Sequence, residues 1–232
     1  MEIEGCLLPE DRLYDLELDV WWASDADHPE LARVGLIAPL TAFAGPFRSL
    51  QFRTIDGMIG RGRSVATVES VRYTGAVRLP VDATILERNE AVVERPRLLN
   101  DAPYGDGWVV RARAEHPGEA GDRLETATAI AGRIEERIRT QRIRCWPQTP
   151  DIDLYEIGLE CSTALTNLNE ELGRRKPGDA IVLVTDDPTS PIEMTRWADQ
   201  TGHSLLAHRR DGELHHFLVR KEPNPVPRRR RA

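Results

Sequence analysis

Leu154-Tyr155-Glu156-Ile157-Gly158-Leu159-Glu160-Cys161-Ser162-Thr163-Ala164 runs from a short strand into a helix, with a cysteine at the junction. Outward from it the pattern is regular. Residues 154–157 read as a strand. Residues 162–175 read as a helix, with Leu165, Leu168 and Leu172 three or four apart on one side. Lys176-Pro177-Gly178-Asp179 stops that helix. Residues 180–185 form a continuous apolar strand. Residues 190–200 form a second helix, with Pro191 in its first turn and Gly202 past its end. Two further strands, 204–208 and 214–220, flank the Asp211-Gly212 turn. The order βαβαββ over 151–221 predicts a two-layer α/β sandwich, with helices on one face of a mixed sheet. Residues 222–232 hold three prolines and four arginines and read as a disordered basic tail.

Upstream the periodicity changes. Pro147 and Pro150 mark a linker over 145–153. Across 119–144, Leu124, Ala127, Ala131, Ile134 and Ile138 share one helical face. The segment 119–150 thus reads as an amphipathic helix packed on its own chain, followed by the linker; a dimer-forming helix pair is the alternative. Residues 1–118 are β-rich. Leu16, Leu18 and Val20 alternate with Glu17, Asp19 and Trp21, and strand-like pieces recur at 33–38, 47–54, 64–69 and 83–88. Short strands broken by Gly, Pro and Asp suggest a barrel or sandwich. The fold class expected is α+β with two domains.

Composition narrows the function. The chain has 232 residues, 40% hydrophobic and 30% charged, as a globular protein requires. No apolar run approaches the roughly 18 residues of a membrane span, and the start does not read as a signal peptide. Three cysteines argue against a disulfide scaffold and for reduced thiols in the cytoplasm. A net charge of −7 argues against a nucleic-acid partner. Among 31 basic residues only Lys176 and Lys221 are lysines, so no lysine amine exists in residues 1–175.

Several motifs of the first half belong together: Asp19-Val20-Trp21, Val34-Gly35-Leu36, Ala66-Thr67-Val68-Glu69-Ser70-Val71, and above all Asn100-Asp101-Ala102-Pro103-Tyr104-Gly105-Asp106-Gly107-Trp108. Residues 5–113 with these motifs resemble the lipoyl-carrying H protein of the glycine cleavage system. The resemblance implies a barrel-sandwich hybrid fold, with lipoate on a lysine at a hairpin tip. The position of that lysine holds Arg72. A guanidinium stays charged at accessible pH and is no usable nucleophile. No lipoyl cofactor is therefore expected, and glycine decarboxylation as a carrier is excluded. A solvated arginine is the default at this tip; an anion-binding Arg72 is the sharper alternative. The family's Pro-x-Ser-Gly turn is Pro80-Val81-Asp82-Ala83 here, a changed strand-to-strand turn.

The second half, 151–221, resembles the TusA-like sulfur carriers. Gly158-Leu159-Glu160-Cys161, Lys176-Pro177-Gly178-Asp179, Asp186-Asp187-Pro188, His203, Asp211-Gly212 and Phe217-Leu218-Val219-Arg220-Lys221 follow in the family's order. The resemblance implies Cys161 as the catalytic sulfur carrier. The chemistry has its own logic: a thiol at a helix start faces unsatisfied N–H groups and the positive end of the dipole, which favour the nucleophilic thiolate. The family's Cys-Pro-x-Pro is Cys161-Ser162-Thr163-Ala164 here, leaving Ser162 or Thr163 to cap the helix.

Other candidates have plainer readings. Asp186 and Asp187 read as turn residues, and Arg174 and Arg175 as charges complementing a helix end. His208, His215 and His216 lie across a hairpin but lack a third ligand type, so no metal site is expected. Cys6 and Cys145 read as ordinary thiols, with a Cys145–Cys161 disulfide as a minor alternative. Arg228–Arg231 read as a solvated end. The functional expectation is a sulfur carrier or sulfurtransferase. Its partners would be persulfide donor and acceptor proteins, rhodanese-like or of lipoate-linked sulfur metabolism, with the first half used for docking. A non-catalytic adaptor built from two degenerate carriers is the alternative.

Overall fold

The computed structural model describes residues 1–54, 57–116 and 118–226. Two compact units divide at Cys145/Trp146.

The first unit opens with β1 (Glu2–Ile3), β2 (Cys6–Leu7), β3 (Leu13–Asp15), β4 (Val20–Ser24) and β5 (Leu31–Leu36), then α1 (Ala38–Ala44). It continues with β6 (Phe47–Phe52), β7 (Met58–Ile59), β8 (Ser64–Ser70), β9 (Thr74–Arg78) and β10 (Ala83–Arg88). Two short helices, α2 (Glu90–Glu94) and α3 (Leu98–Asp101), precede β11 (Val110–Ala114), α4 (Glu119–Arg123), β12 (Glu125–Thr126) and α5 (Ala127–Thr140). A seven-stranded antiparallel sheet of order β12-β3-β4-β5-β11-β10-β7 and a three-stranded sheet of order β6-β8-β9 share one apolar core. Sandwich geometry follows from the inward halves of both sheets, Val20, Val34 and Ala112 on one and Leu50, Val68 and Val77 on the other.

The Asn100–Trp108 motif has a structural reason at each point. The Asn100 side chain is buried; its carbonyl accepts from Phe47 N–H, and its amide donates to the carbonyls of Thr41 and Gly45. It thereby ties α3 to both ends of the α1–β6 corner. Pro103 O accepts the Trp21 indole N–H, and the Tyr104 hydroxyl accepts Ala38 N–H. A Cβ on Gly107 would sit 2.4 Å from Leu98 O, and one on Gly35 2.6 Å from the Trp21 ring, so both positions require glycine.

Three expectations for this unit are corrected. The strand expected through residues 16–21 begins only at Val20. Asp15 Oδ1 accepts from Glu17 and Leu18 N–H, and Asp19 takes a positive φ of 58°, which folds the alternating run into a turn. The single helix over 119–144 is interrupted at Leu124, whose backbone is extended, and restarts after Thr126, which accepts Ala129 N–H. The face of α5 is Ala127, Ile130, Ile134 and Ile138, all buried in the first unit's core. Finally, Cys6 and Cys145 are not free thiols but a disulfide spanning 139 residues. Cys6 points inward from β2 while the chain after α5 turns back at Ile143, bringing the two Cα atoms to 5.0 Å. That also removes Cys145 as a partner for Cys161.

The second unit contains β13 (Ile152–Glu156), α6 (Cys161–Arg174), β14 (Ala180–Thr185), α7 (Ser190–Thr201), β15 (Ser204–Asp211) and β16 (Leu214–Arg220). The sheet order is β13-β14-β16-β15, with β13 and β14 parallel and the other pairs antiparallel. This is the expected mixed sheet. Leu168 and Leu172 of α6 and Met194 and Trp197 of α7 pack on Ile181, Leu183, Phe217 and Val219. Ala180, Val182, Val184 and Leu218 form a second apolar layer on the opposite face, joined by Trp146 and Leu206. Gly202 ends α7 in the left-handed conformation, φ 76°. Lys221 Nζ donates to the carbonyls of Leu172 and Arg175, closing the end of α6. Glu222 accepts from Ser204 and Arg220, and Val226 lies against Gly202, so the disorder expected from residue 222 is not found over 222–226. Arg228–Arg231 lie outside the described residues.

Candidate functional site

Parallel β13 and β14 deliver α6 and α7 side by side, so both helix starts lie at the carboxyl end of the two strands. Cys161 is the first residue of α6 and the free cysteine of the described residues. Glu160 holds the cap position without a side-chain cap bond, so the expected role of Ser162 or Thr163 is not found. The acceptor comes from the neighbouring loop instead. Asp187 Oδ2 accepts Cys161 N–H at 2.8 Å, while its Oδ1 accepts both the N–H and the hydroxyl of Thr189 at 2.7 Å. Asp186 Oδ1 accepts Gly158 N–H at 2.8 Å. The two aspartates are turn residues, as read, and they also staple the β14–α7 loop to the β13–α6 loop.

That staple changes the thiol. Cys161 is only 8% exposed. Burial pushes its pKa above the usual thiol value, and the carboxylates of Asp187 and Glu193 push it further. Burial first, and the two carboxylates after it, act on the thiol in the opposite sense to the helix start. Asp187 itself is held below the usual carboxylate range by the Thr189 hydroxyl and N–H, by Cys161 N–H and by nearby His215.

His215 stands opposite Thr185 on β16. Its ring stacks with His208 and Phe217, and His208 Nε2 lies 2.9 Å from His215 Nδ1. Burial lowers both histidine pKa values, so this pair is neutral near pH 7. His216 points to the opposite sheet face from His215, as alternation along a strand requires. No group of three metal-ligating side chains occurs among the described residues. Arg174 and Arg175 pair with Glu171 at the end of α6.

In the first unit, Val71 and Arg72 form the exposed tip between β8 and β9. Ser70 Oγ accepts from Arg72 and Tyr73 N–H and donates to Ala44 O, fastening the tip to α1. The Arg72 guanidinium leans over Gly45; a Cβ there would lie 2.7 Å from its Nη2. A lipoyl amide does not fit this tip, because it needs an amine and no lysine precedes residue 176. The altered turn at Asp82 is also used: its Oδ1 accepts Arg61 N–H.

The sandwich with its hairpin tip, and the βαβαββ unit with a cysteine at its first helix start, define a fusion of two carrier-type folds. Residues 12–137 match the family described as Glycine cleavage H-protein, and residues 152–221 match Sulfurtransferase TusA. The chain belongs to the glycine cleavage H-protein family and carries a TusA-like sulfur-carrier domain beside it. It is 34% identical to glycine cleavage system H protein 5 of Aquifex aeolicus over 147 residues, 62% of this chain and 98% of that protein. It is 30% identical to the probable glycine cleavage system H protein 2 of Sulfurisphaera tokodaii, over 62% of this chain and 96% of that one. A glycine cleavage system H protein from Mycobacterium marinum, solved by crystallography, is 28% identical with a TM-score of 0.47, covering 55% of this chain and 98% of that one. No helix among the described residues is long and apolar enough to cross a membrane.

Sequence reasoning missed the Asp187–Cys161 bond and the Cys6–Cys145 bridge. The Asp-Pro-Thr run at 187–189 signals a side-chain-capped turn, but not the neighbouring helix that it reaches.

Proposed function

We propose that the second unit carries a sulfane sulfur as a persulfide on Cys161, and that the first unit, without lipoate, docks a partner. The observation that carries this is a free cysteine as the first residue of α6 in a segment that matches a sulfurtransferase family. In the loading step, the Cys161 sulfur attacks the outer sulfur of a donor persulfide. A new S–S bond forms, the donor S–S bond breaks, and the donor sulfur leaves with the electron pair. The Cys161 proton passes to that leaving thiolate, so no external oxidant or reductant is needed. Delivery reverses the step onto an acceptor thiol. Partners are persulfide donor and acceptor proteins.

The test is intact-mass measurement of the full chain after exposure to a small alkyl persulfide. A gain of one sulfur in the wild type and none in Cys161→Ala is expected. Equal masses before and after, with accessible donor in excess, overturn the reading.

A second reading is an adaptor of two carrier domains without sulfur transfer. The burial of Cys161 and its raised pKa favour it. It predicts no loading with any donor.

A further inference from the structure

Ser190, the first residue of α7, is fully buried, and its Oγ meets no hydrogen-bond partner among the described residues. Buried hydroxyls are rarely left so. Other hydroxyls of these two helices donate to the carbonyl four residues back: Thr166 to Ser162, Thr195 to Pro191 and Thr201 to Trp197. Ser190 opens its helix, so no helical carbonyl lies four residues behind it.

Its place in the fold is at the level of the sulfur. α6 and α7 follow two parallel strands and therefore run in the same direction. The Trp197 indole N–H donates to Asn169 Oδ1 at 2.9 Å and fixes one helix against the other. About two turns back along each lie Ser190 and Cys161. Both are on buried faces, Ser190 with Met194 and Trp197, and Cys161 with Ala164 and Leu168. Asp187 holds both residues: its carbonyl accepts Ser190 N–H at 3.1 Å, and its Oδ2 accepts Cys161 N–H at 2.8 Å. Asp187 and Glu193, three places to either side of Ser190, are the carboxylates that act on the thiol, so this side of the α7 start is turned to Cys161. From the β15–β16 hairpin, His215 acts on Asp187 and Arg210 on His215.

We propose that the Ser190 hydroxyl is the hydrogen-bond donor to the Cys161 sulfur when that sulfur carries negative charge. The proposal rests on the persulfide reading above and adds a catalytic residue to it. The Cys161 N–H is already bonded to Asp187, and in the thiol form the hydroxyl has no anion to serve. As Cys161 attacks the outer sulfur of the donor, its own proton passes to the leaving thiolate. Ser190 keeps its proton throughout and only aims it at the charged sulfur. A bond made in the charged form alone favours that form and lowers the barrier to attack.

The test compares the full-length wild type with Ser190→Ala. The midpoint of Cys161 alkylation by iodoacetamide is expected to rise by about one pH unit, the worth of a hydrogen bond to a charged group. Loading by the small alkyl persulfide at neutral pH should be about threefold slower, because a more basic thiolate is scarcer but more nucleophilic. The melting temperature of the second unit should not fall, since the hydroxyl has no partner to lose. A merely structural Ser190 gives the opposite sign: loosened packing admits water to the thiol and lowers its midpoint. Ser190→Gly should repeat the rise. Thr195→Ala, which removes an exposed α7 hydroxyl bonded to Pro191 O, should leave midpoint and loading unchanged. A midpoint in Ser190→Ala equal to or below that of the wild type overturns the proposal. If the wild type loads while the midpoints coincide, only the Ser190 proposal fails. If nothing loads and the midpoint still rises, the persulfide reading fails and the hydrogen bond to the sulfur stands.

Discussion

The hairpin tip around Arg72 and the helix start around Cys161 occupy corresponding places in two carrier folds, and their chemistry is opposite. The tip keeps the exposure that a swinging arm needs, with Val71 69% in water, but has no group to which the arm can attach. The helix start keeps its cysteine but buries it, with the Cys161 backbone N–H tied to Asp187. The fold and the reacting group of a carrier are thus set by different residues. The first depends on a buried framework such as Asn100 and Gly107; the second depends on one side chain and the charges within a few ångströms of it.

The largest effect that tests this contrast is all-or-none. Arg72→Lys restores an amine at an exposed tip whose Ser70 anchoring uses backbone N–H groups and is unchanged by the substitution. Co-expressed with a lipoate ligase, Arg72→Lys should gain the lipoyl mass, and the wild type should not. Failure of the variant would mean that the tip has lost more than its lysine.

Next in size is the disulfide, which exists in only one of the two units. Closing a loop of this length is worth about 3–5 kcal/mol in the chain-entropy account. Reductant, or Cys6→Ser, should lower the melting temperature of the first unit by several degrees and leave that of the second unchanged. Calorimetry with and without a phosphine reductant reads both transitions.

A smaller effect concerns Asp187. Its pKa is lowered on folding, so the stability it adds is complete above the unfolded carboxylate value near pH 4 and is lost as pH falls through the folded value. Asp187→Ala should cost the second unit about 1 kcal/mol at pH 7, as loss of a cap does. The cost should vanish in acid, which urea titrations at several pH values would follow. The subtlest effect is on the thiol. Alkylation of Cys161 by iodoacetamide should have its midpoint above the roughly 8.5 of a free cysteine. Asp187→Asn removes a neighbouring anion and should shift that midpoint down.

Much of the second unit was legible because its signals are local. Pro191 and Gly202 bracket α7, residues 180–185 are apolar throughout, and Lys176-Pro177-Gly178-Asp179 stops the helix within a residue or two of the observed end. The first unit was harder. Alternation at 16–21 looks like a strand until Asp15 accepts two N–H groups and bends it, and periodicity across 119–144 hides the extended step at Leu124. Cys161 was legible as a position and not as a charge state. Burial, and after it the carboxylates of Asp187 and Glu193, 26 and 32 places along the chain, raise its proton affinity, and no local pattern announces them. The bridge between Cys6 and Cys145 was illegible for the same reason at greater distance.

That bridge also fixes how the protein can be dissected. Both of its cysteines fall outside residues 12–137, the segment shared with the H-protein family. A fragment trimmed to those bounds would lose its covalent fastening at both ends, and one that kept a single cysteine would expose a lone sulfhydryl able to crosslink copies. Experiments on the isolated first half should therefore begin at Met1 and run through Cys145.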